Sequence, residues 1–488
     1  MDKSLKKEAV VIGAGPAGLT AALELVKSDK FEVKILEKDF VVGGISKTTE
    51  YNGCKFDIGP HHFITDSKKV EDWWFDLMKP EQENGNLFIN LCRFTRIYYK
   101  KHFFNYPLQP LNVLKGLSFF ECLYCVFSYI KICLFPIKKV KTFQDWVTNK
   151  FGYRLFFIFF KTYTEKVWGI SCNKISADWA AQRIKGFSLS KAIFYAFFGR
   201  FFKKNTLRTL SDKFYYPLFG AGTLWNRVAF NIESSKLGKI FLNKNVVGIT
   251  HNDFKITSVF SCNAKDSISG AKKLIEHRAD YFFSTMPIKD LILSMDPLPK
   301  ENIIKAAKKL RYRGLITVNF IINKKNICFD HWLYIHDKSV KMGRIGNMNN
   351  FSLKMVDNPN HTALSLEYFT FVDSSFWKKT DDALIRLGKR EIEKIGIVKK
   401  KDVISGMILR LQKAYPIYDK NYKKDLKIIF DYLNKFSNLQ LMGRNGLHKY
   451  NNMDIAMLSA FKAVDIVLQS EKDEKLNKET EKIVQMRV

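Results

Sequence analysis

Gly13-Ala14-Gly15-Pro16-Ala17-Gly18 lies directly behind the apolar run Ala9-Val10-Val11-Ile12, and Glu37 closes a second apolar run, Phe31 to Leu36. Strand, glycines, helix and acid in this order predict a dinucleotide-binding unit. Gly13 permits the tight strand-to-helix turn, Gly15 lets backbone approach a pyrophosphate, and Gly18 lets the helix pack on the strand. Pro16 and Ala17 begin the helix, whose N-terminal end faces two phosphate charges. The Glu37 carboxylate, at its strand's C-terminal edge and followed by Lys38, can accept hydrogen bonds from a ribose diol. It would repel an adenosine 2′-phosphate.

A second glycine pair follows in Val42-Gly43-Gly44-Ile45-Ser46, and then Tyr51-Asn52-Gly53-Cys54-Lys55-Phe56-Asp57-Ile58-Gly59-Pro60-His61-His62-Phe63 has the pattern of a short strand running into a loop. Together they resemble the two-part FAD fingerprint of flavoproteins, with Gly43, Gly44 and Ile45 where backbone passes near the cofactor. A hairpin followed by a turn would carry similar glycines.

The chain has 488 residues, 46% hydrophobic and 14% aromatic, enough for two or three packed units. The start, Met1 to Glu8, is charged, so no signal peptide is expected. Eight cysteines without regular spacing point to a reducing, cytoplasmic setting. Cys122-Leu123-Tyr124-Cys125 has paired spacing in apolar surroundings without a second pair, which favours a buried helical pair over a metal or redox site; no metal is expected.

Lys and Arg number 80 against 48 Asp and Glu, a net charge of +32. Such a field attracts anionic ligands, lipids or nucleic acid. The lysines are spread along the chain with no recognised nucleic-acid motif, so nucleic acid is not an expected partner. Leu117 to Pro136 is the most membrane-like stretch, but Glu121 and Lys131 interrupt it. A charge near a bilayer centre costs about 2.5–3.5 kcal/mol, so a buried helix is expected rather than a span, with a peripheral membrane contact left open.

The expected fold is α/β: a discontinuous Rossmann-like FAD-binding domain, an inserted helical region and an antiparallel-sheet substrate region. The nucleotide domain is placed at residues 1–74, 206–304 and 405–470, the helical substrate insertion at 75–205, and the sheet region at 305–404. A charged tail follows at 471–488. Lys244 to Ile249, which contains Val247, and Tyr281 to Met286 are expected as returning strands of the nucleotide domain. Leu315 to Ile322, Trp332 to Ile335 and Ala363 to Phe371 are strand candidates of the sheet region, and Leu439 to Leu468 ends in a long helix.

These motifs resemble the UDP-galactopyranose mutases, FAD-containing proteins that share their plan with amine oxidases and protoporphyrinogen oxidases. The resemblance covers nearly the whole chain. Gly59-Pro60-His61-His62-Phe63 resembles the loop passing the isoalloxazine ring, and Val247 a cofactor-facing position. The most specific match is Tyr163-Thr164-Glu165-Lys166-Val167-Trp168-Gly169, whose aromatics Tyr163 and Trp168 would contact uridine. Arg183 and Arg344 resemble the pair that holds the UDP diphosphate, a task that suits the planar guanidinium fork. Tyr415 and Tyr450 match the tyrosines that touch the phosphates. Met442-Gly443-Arg444-Asn445-Gly446 resembles the segment that returns to the FAD pyrophosphate, with Asn452 and Asp454 beyond it. There the chain departs from the pattern: Met453-Asp454-Ile455 stands where related proteins commonly carry Gln-Asp-His.

The resemblance implies that a UDP-linked hexose is interconverted between pyranose and furanose through an adduct on N5 of reduced flavin. His61, Arg183 and Arg344 would serve the chemistry, and an unidentified external reductant is required. Two alternatives stay open: an FAD-dependent oxidoreductase of amine-oxidase or protoporphyrinogen-oxidase type with an apolar substrate, and a flavin-binding protein whose catalysis has lapsed. Which sugar is used and the oligomeric state are not legible.

Overall fold

The computed structural model describes residues 6–78, 88–106, 108, 110–179, 213–266 and 273–485. Five parallel strands form the central sheet, in the order Leu439–Leu441, Tyr281–Ser284, Lys7–Ile12, Phe31–Leu36 and Gly238–Phe241. Parallel strands are buried on both faces, which explains why Ala9 to Ile12 is apolar without interruption. Ala9 and Val11 face one core with helices Pro16–Lys27, Gly222–Ser234 and Met453–Gln485, while Val10 and Ile12 face another. That second core is closed by Ile288, Leu291 and Ile303 and by a four-stranded sheet containing Lys244–Asn252 and Lys255–Asn263. The central sheet is thus assembled from strands far apart in the chain; of the two returning strands expected, Tyr281–Ser284 joins it, whereas Lys244–Asn252 belongs to the separate four-stranded sheet.

The second large sheet has seven strands, in the order Val403–Pro416, Tyr312–Ile322, Thr362–Thr370, Arg344–Asn347, Trp332–Ile335, Thr95–Tyr99 and His102–Asn105. It is antiparallel except where Trp332–Ile335 runs parallel to Thr95–Tyr99. The sheet therefore reaches beyond residues 305–404 at both ends. It takes a hairpin from the stretch expected to be helical and a strand from the stretch assigned to the nucleotide domain. Helix Asp381–Lys394 covers one face, and helices Phe143–Phe151 and Thr162–Trp168 cover the other near its substrate end.

Two further expectations change. The charged tail is not separate: helix Met453–Gln485 runs on through it, and Lys7 donates to Glu471 at 2.7 Å. Leu117 to Pro136 does form a helix, Phe119–Leu134, but it is not buried. Of its side chains only Cys125 is in the core, and Cys122 is half-buried. Hydropathy identifies the apolar segment but does not say whether anything covers it.

A buried carboxylate ties the sheet base to the loop that precedes helix Gly222–Ser234. Asp57 accepts hydrogen bonds from the Tyr216 hydroxyl at 2.6 Å, the Thr48 hydroxyl at 2.6 Å and the Ala221 amide. Burial nevertheless pushes its pKa up from 3.8 to about 6. The native state therefore holds this proton at pH values where the unfolded chain has released it. The stability contributed by Asp57 is full below the unfolded value and is lost as the pH rises to about 6. Two pKa units correspond to about 3 kcal/mol. Urea denaturation between pH 4 and 7 should show this decline, and Asp57→Asn should flatten it whatever its effect on absolute stability.

Candidate active site

The two glycine segments meet backbone to backbone. A Cβ on Gly44 would lie 3.1 Å from Gly15 Cα, and a Cβ on Gly18 would lie 1.8 Å from the Gly13 carbonyl oxygen. At Gly18 only hydrogen fits, and at Gly44, where φ is 55°, a side chain would both strain the backbone and crowd Gly15. Glu37 fixes the loop from the other side: its carboxylate accepts the Ala14 amide at 2.6 Å and the Asp39 amide at 2.8 Å. Thr285 donates to the Ile12 carbonyl at 2.8 Å and so joins the ends of neighbouring strands beside the loop.

These elements wall one end of a cavity of about 640 Å³. Gly13, Gly15, Pro16, Ala17, Glu37, Lys38, Gly44, Ile45, Gly59, His61, Val247, Gly443, Arg444 and Asn452, which the sequence reading expects at the cofactor, all line it. Gly18, Gly43 and Asp454 lie behind the lining, Gly18 as a packing residue. Val247 is the extra residue of a bulge between Val246 and Gly248, so its backbone leaves the strand ladder where it reaches the cavity. Helices Pro16–Lys27 and Met453–Gln485 both begin at this wall and present their N-terminal ends to it.

Several lining atoms lack a hydrogen-bond partner among the described residues: Ser46 Oγ, Asn445 Oδ1 and both polar side-chain atoms of Asn451. Buried polar atoms are seldom left so, and a polar ligand threaded between two helix N-termini would meet them. The cradle suits the dinucleotide predicted from the glycines. Sequence reasoning missed Ser46, Asn445 and Asn451, although each adjoins a motif that it singled out.

At the other end of the cavity the predicted substrate residues converge. Tyr415 and Tyr450 stack with ring centroids 5.6 Å apart, and Trp168 meets both rings edge-on. The Arg444 guanidinium lies 4.9 Å over the Tyr450 ring and 5.6 Å over the Tyr415 ring. Its Nη2 donates to the Asn451 carbonyl at 2.7 Å and its Nη1 to the Ala414 carbonyl at 3.0 Å. No carboxylate pairs with it among the described residues, so its charge is fixed in place but not neutralised.

Arg344 differs. Its Nε and Nη2 donate to the two oxygens of Glu367, at 2.7 and 2.5 Å, and Glu367 is fully buried. The pair is flush against the loop at Gly59: a Cβ there would be 3.2 Å from Arg344 Nη2. The expected free guanidinium fork is therefore corrected. Arg344 reaches the site with its charge balanced, and only Nη1 lacks a hydrogen bond among the described residues. Glu367 was not anticipated, because only the register of two strands places it opposite Arg344. Arg183 lies outside the described residues.

His61 donates through Nδ1 to the Gly59 carbonyl, 3.1 Å away, which assigns the proton to Nδ1 and leaves Nε2 as an acceptor. Burial first, and the Arg444 cation second, lower its pKa to about 3. His61 is a neutral ring throughout the physiological range.

Tyr163 and Trp168 form the layer behind the cavity. Tyr163 stacks on His336 at 5.1 Å, and Lys166 between them in sequence donates to three backbone carbonyls, of Ile335, Asp337 and Met342. Burial lowers the Lys166 pKa to about 8. Arg313 donates to the carbonyls of Val167 and Lys166 and caps the C-terminal end of helix Thr162–Trp168. The specific run Tyr163 to Gly169 thus fastens this helix to the seven-stranded sheet.

Residues 11–77 match the NAD(P)-binding Rossmann-like domain family. A 1-hydroxycarotenoid 3,4-desaturase from Flavobacterium sp. (strain P99-3) is 44% identical over 57 residues, a match spanning 12% of this chain and 12% of that protein. Whole-chain likeness appears among solved structures. Reduced UDP-galactopyranose mutase superposes with a TM-score of 0.80 at 19% identity, over 95% of this chain and 94% of that one. A protein assigned as a protoporphyrinogen oxidase from Exiguobacterium sp. 255-15 superposes at 0.70 with 15% identity, over 95% and 99%. A putrescine oxidase bound to putrescine superposes at 0.59 with 13% identity, over 95% and 99%. The chain therefore carries a Rossmann-like nucleotide-binding domain within the fold that these proteins share.

Because Gly44 touches Gly15, Gly44→Val should weaken dinucleotide binding by about tenfold or more in equilibrium dialysis, equivalent to at least ~1.4 kcal/mol. The melting temperature of the ligand-free protein should fall as well, because Gly44 has a φ of 55° that a β-branched residue adopts only with strain.

Proposed function

We propose that the cavity holds FAD and that the protein is a flavoenzyme whose substrate lies between the His61 loop and the Tyr415–Tyr450 pair. The reading favoured is interconversion of the pyranose and furanose forms of a UDP-linked hexose. The observation that carries it is the unneutralised Arg444 guanidinium stacked on two tyrosines beside the flavin-type loop. Likeness of fold to reduced UDP-galactopyranose mutase over 95% of the chain supports it.

The flavin, when bound in its reduced form, supplies the electron-rich ring on which the sugar chemistry depends. The chain's residues then have separate tasks. Arg444 offsets the charge of a departing diphosphate, and its anchorage on the Asn451 and Ala414 carbonyls means that it need not reorganise to do so. The Tyr415 and Tyr450 hydroxyls donate to phosphate oxygens. Burial pushes the Tyr415 pKa up to about 12, so its proton stays on the hydroxyl oxygen in neutral solution. Arg344, balanced by Glu367, adds one N–H donor and holds the Gly59 turn in place. His61 accepts a hydrogen bond at Nε2 and carries no charge that would compete with the cations around it. Arg183 would add the second guanidinium that the resemblance implies.

A second reading rests on the Arg344–Glu367 pair and the aromatic wall of Tyr163, Trp168, Tyr415 and Tyr450. A site with one arginine neutralised and four rings would also suit an oxidoreductase with a less charged substrate. Anaerobic incubation of the dithionite-reduced protein with a UDP-hexofuranose separates the two. The mutase reading expects a pyranose product with no net oxidation, and no turnover under these conditions rejects it.

Two variants test the division of labour between the arginines. Arg444→Met should weaken UDP binding to the reduced protein by about tenfold or more and flatten its salt dependence in titration calorimetry. Arg344→Met should act mainly on stability, by about 3 kcal/mol or more in urea denaturation, because it leaves Glu367 buried without a counter-charge.

A further inference from the structure

Helix Phe119–Leu134 turns its polar side inward. Arg154 Nη2 donates to Glu121 at 2.8 Å, the Arg154 amide donates to Ser128 Oγ at 3.0 Å, and Cys125 enters the core beside Phe104 and Phe159. The backbone at Tyr129 abuts Gly152, where a Cβ would come within 2.9 Å of it. This side is fixed to the protein body. The opposite side is apolar and uncovered: Phe119, Phe120, Tyr124, Phe127, Leu134 and Phe135 are 64–73% exposed. At helical spacing, Leu123, Val126 and Ile130 fill the gaps between them, and each is exposed as well.

The surroundings are cationic. Lys115 before the helix, Lys131 within it and Lys138, Lys139 and Lys141 after it are all exposed. Glu121 is the only acidic residue between Cys92 and Asp145, and it is paired with Arg154. An apolar stripe rimmed by lysines is complementary to one surface above others, a bilayer whose headgroups are anionic and whose acyl boundary is apolar. The helix is too short to cross: its 16 residues rise about 24 Å, against a hydrocarbon core of about 30 Å. Among the described residues no helix is long and apolar enough to cross a membrane.

We propose that helix Phe119–Leu134 is a peripheral membrane anchor, lying flat at the headgroup boundary of an anionic leaflet with Phe120, Phe127 and Leu134 inserted and the flanking lysines on the lipid charges. The aromatic cluster beneath it continues from Phe104 and Phe159 to Tyr334, whose ring lies 5.2 Å from Tyr163. The anchor therefore holds the substrate end of the protein toward the membrane.

Flotation of the full chain with vesicles of phosphatidylcholine mixed with phosphatidylglycerol, and of phosphatidylcholine alone, tests this. The protein should float with the anionic vesicles, less so at high salt. Phe120→Ser combined with Phe127→Ser should reduce the floating fraction severalfold at an unchanged melting temperature. Lys138→Glu combined with Lys139→Glu, away from the core, should do the same if the first variant does not fold. Failure to float with either vesicle, or equal flotation of wild type and both variants, overturns the proposal. So does a dimer in sedimentation that Phe120→Ser and Phe127→Ser dissociate while vesicles bind nothing, which would assign the face to a second copy of the chain.

Discussion

One carboxylate holds the nucleotide loop in shape. Glu37 accepts an amide hydrogen from each side of the turn, from Ala14 and from Asp39, and so fixes the distance between the first two strands' ends. Hydrogen bonds to an ionised acceptor are roughly twice as strong as neutral ones, so this clamp can resist the crowding of Gly15 against Gly44. That crowding in turn brings two backbones and a helix end to one wall of the cavity. Every later element, the bulge at Val247 and the second helix start at Met453 included, is placed relative to this turn by the parallel strands that flank it.

At the substrate end the decisive feature is a difference between two cations. Arg344 is tied to a buried acid and belongs to the sheet's internal electrostatics, whereas Arg444 is tied only to carbonyl dipoles and retains its field. Carbonyls orient a guanidinium without cancelling its charge, so the site keeps a net positive potential among four aromatic rings. His61 adds nothing to that potential, since burial and Arg444 keep it neutral. Such a pocket favours an anionic group next to an apolar surface.

What the sequence made legible was local. The glycine motif, Glu37 and the strands at Tyr281 and Trp332 announce themselves within a few residues, because turn geometry and strand burial impose residue types directly. Many residues of one cavity wall could be named from the sequence for this reason. The Arg344–Glu367 pair could not, because it depends on a register between strands 23 residues apart. Lys166, within the run from Tyr163 to Gly169, spends its charge on three backbone carbonyls. The stretch from Leu117 was misjudged for a related reason: composition records that a segment is apolar, while its covering depends on which neighbours the topology delivers. The region expected to be mostly helical gives a hairpin to the large sheet, where Thr95–Tyr99 pairs with the strand Trp332–Ile335.

The order of the strands has a consequence for biosynthesis. The first two strands and the glycine helix are made at once, but Gly443, Arg444 and the start of helix Met453–Gln485 leave the ribosome more than four hundred residues later. Until then the cavity lacks one wall, and the N-terminal unit has no partner for much of its apolar face. The cavity is therefore complete only late in synthesis, after the segments that build the seven-stranded sheet have been made.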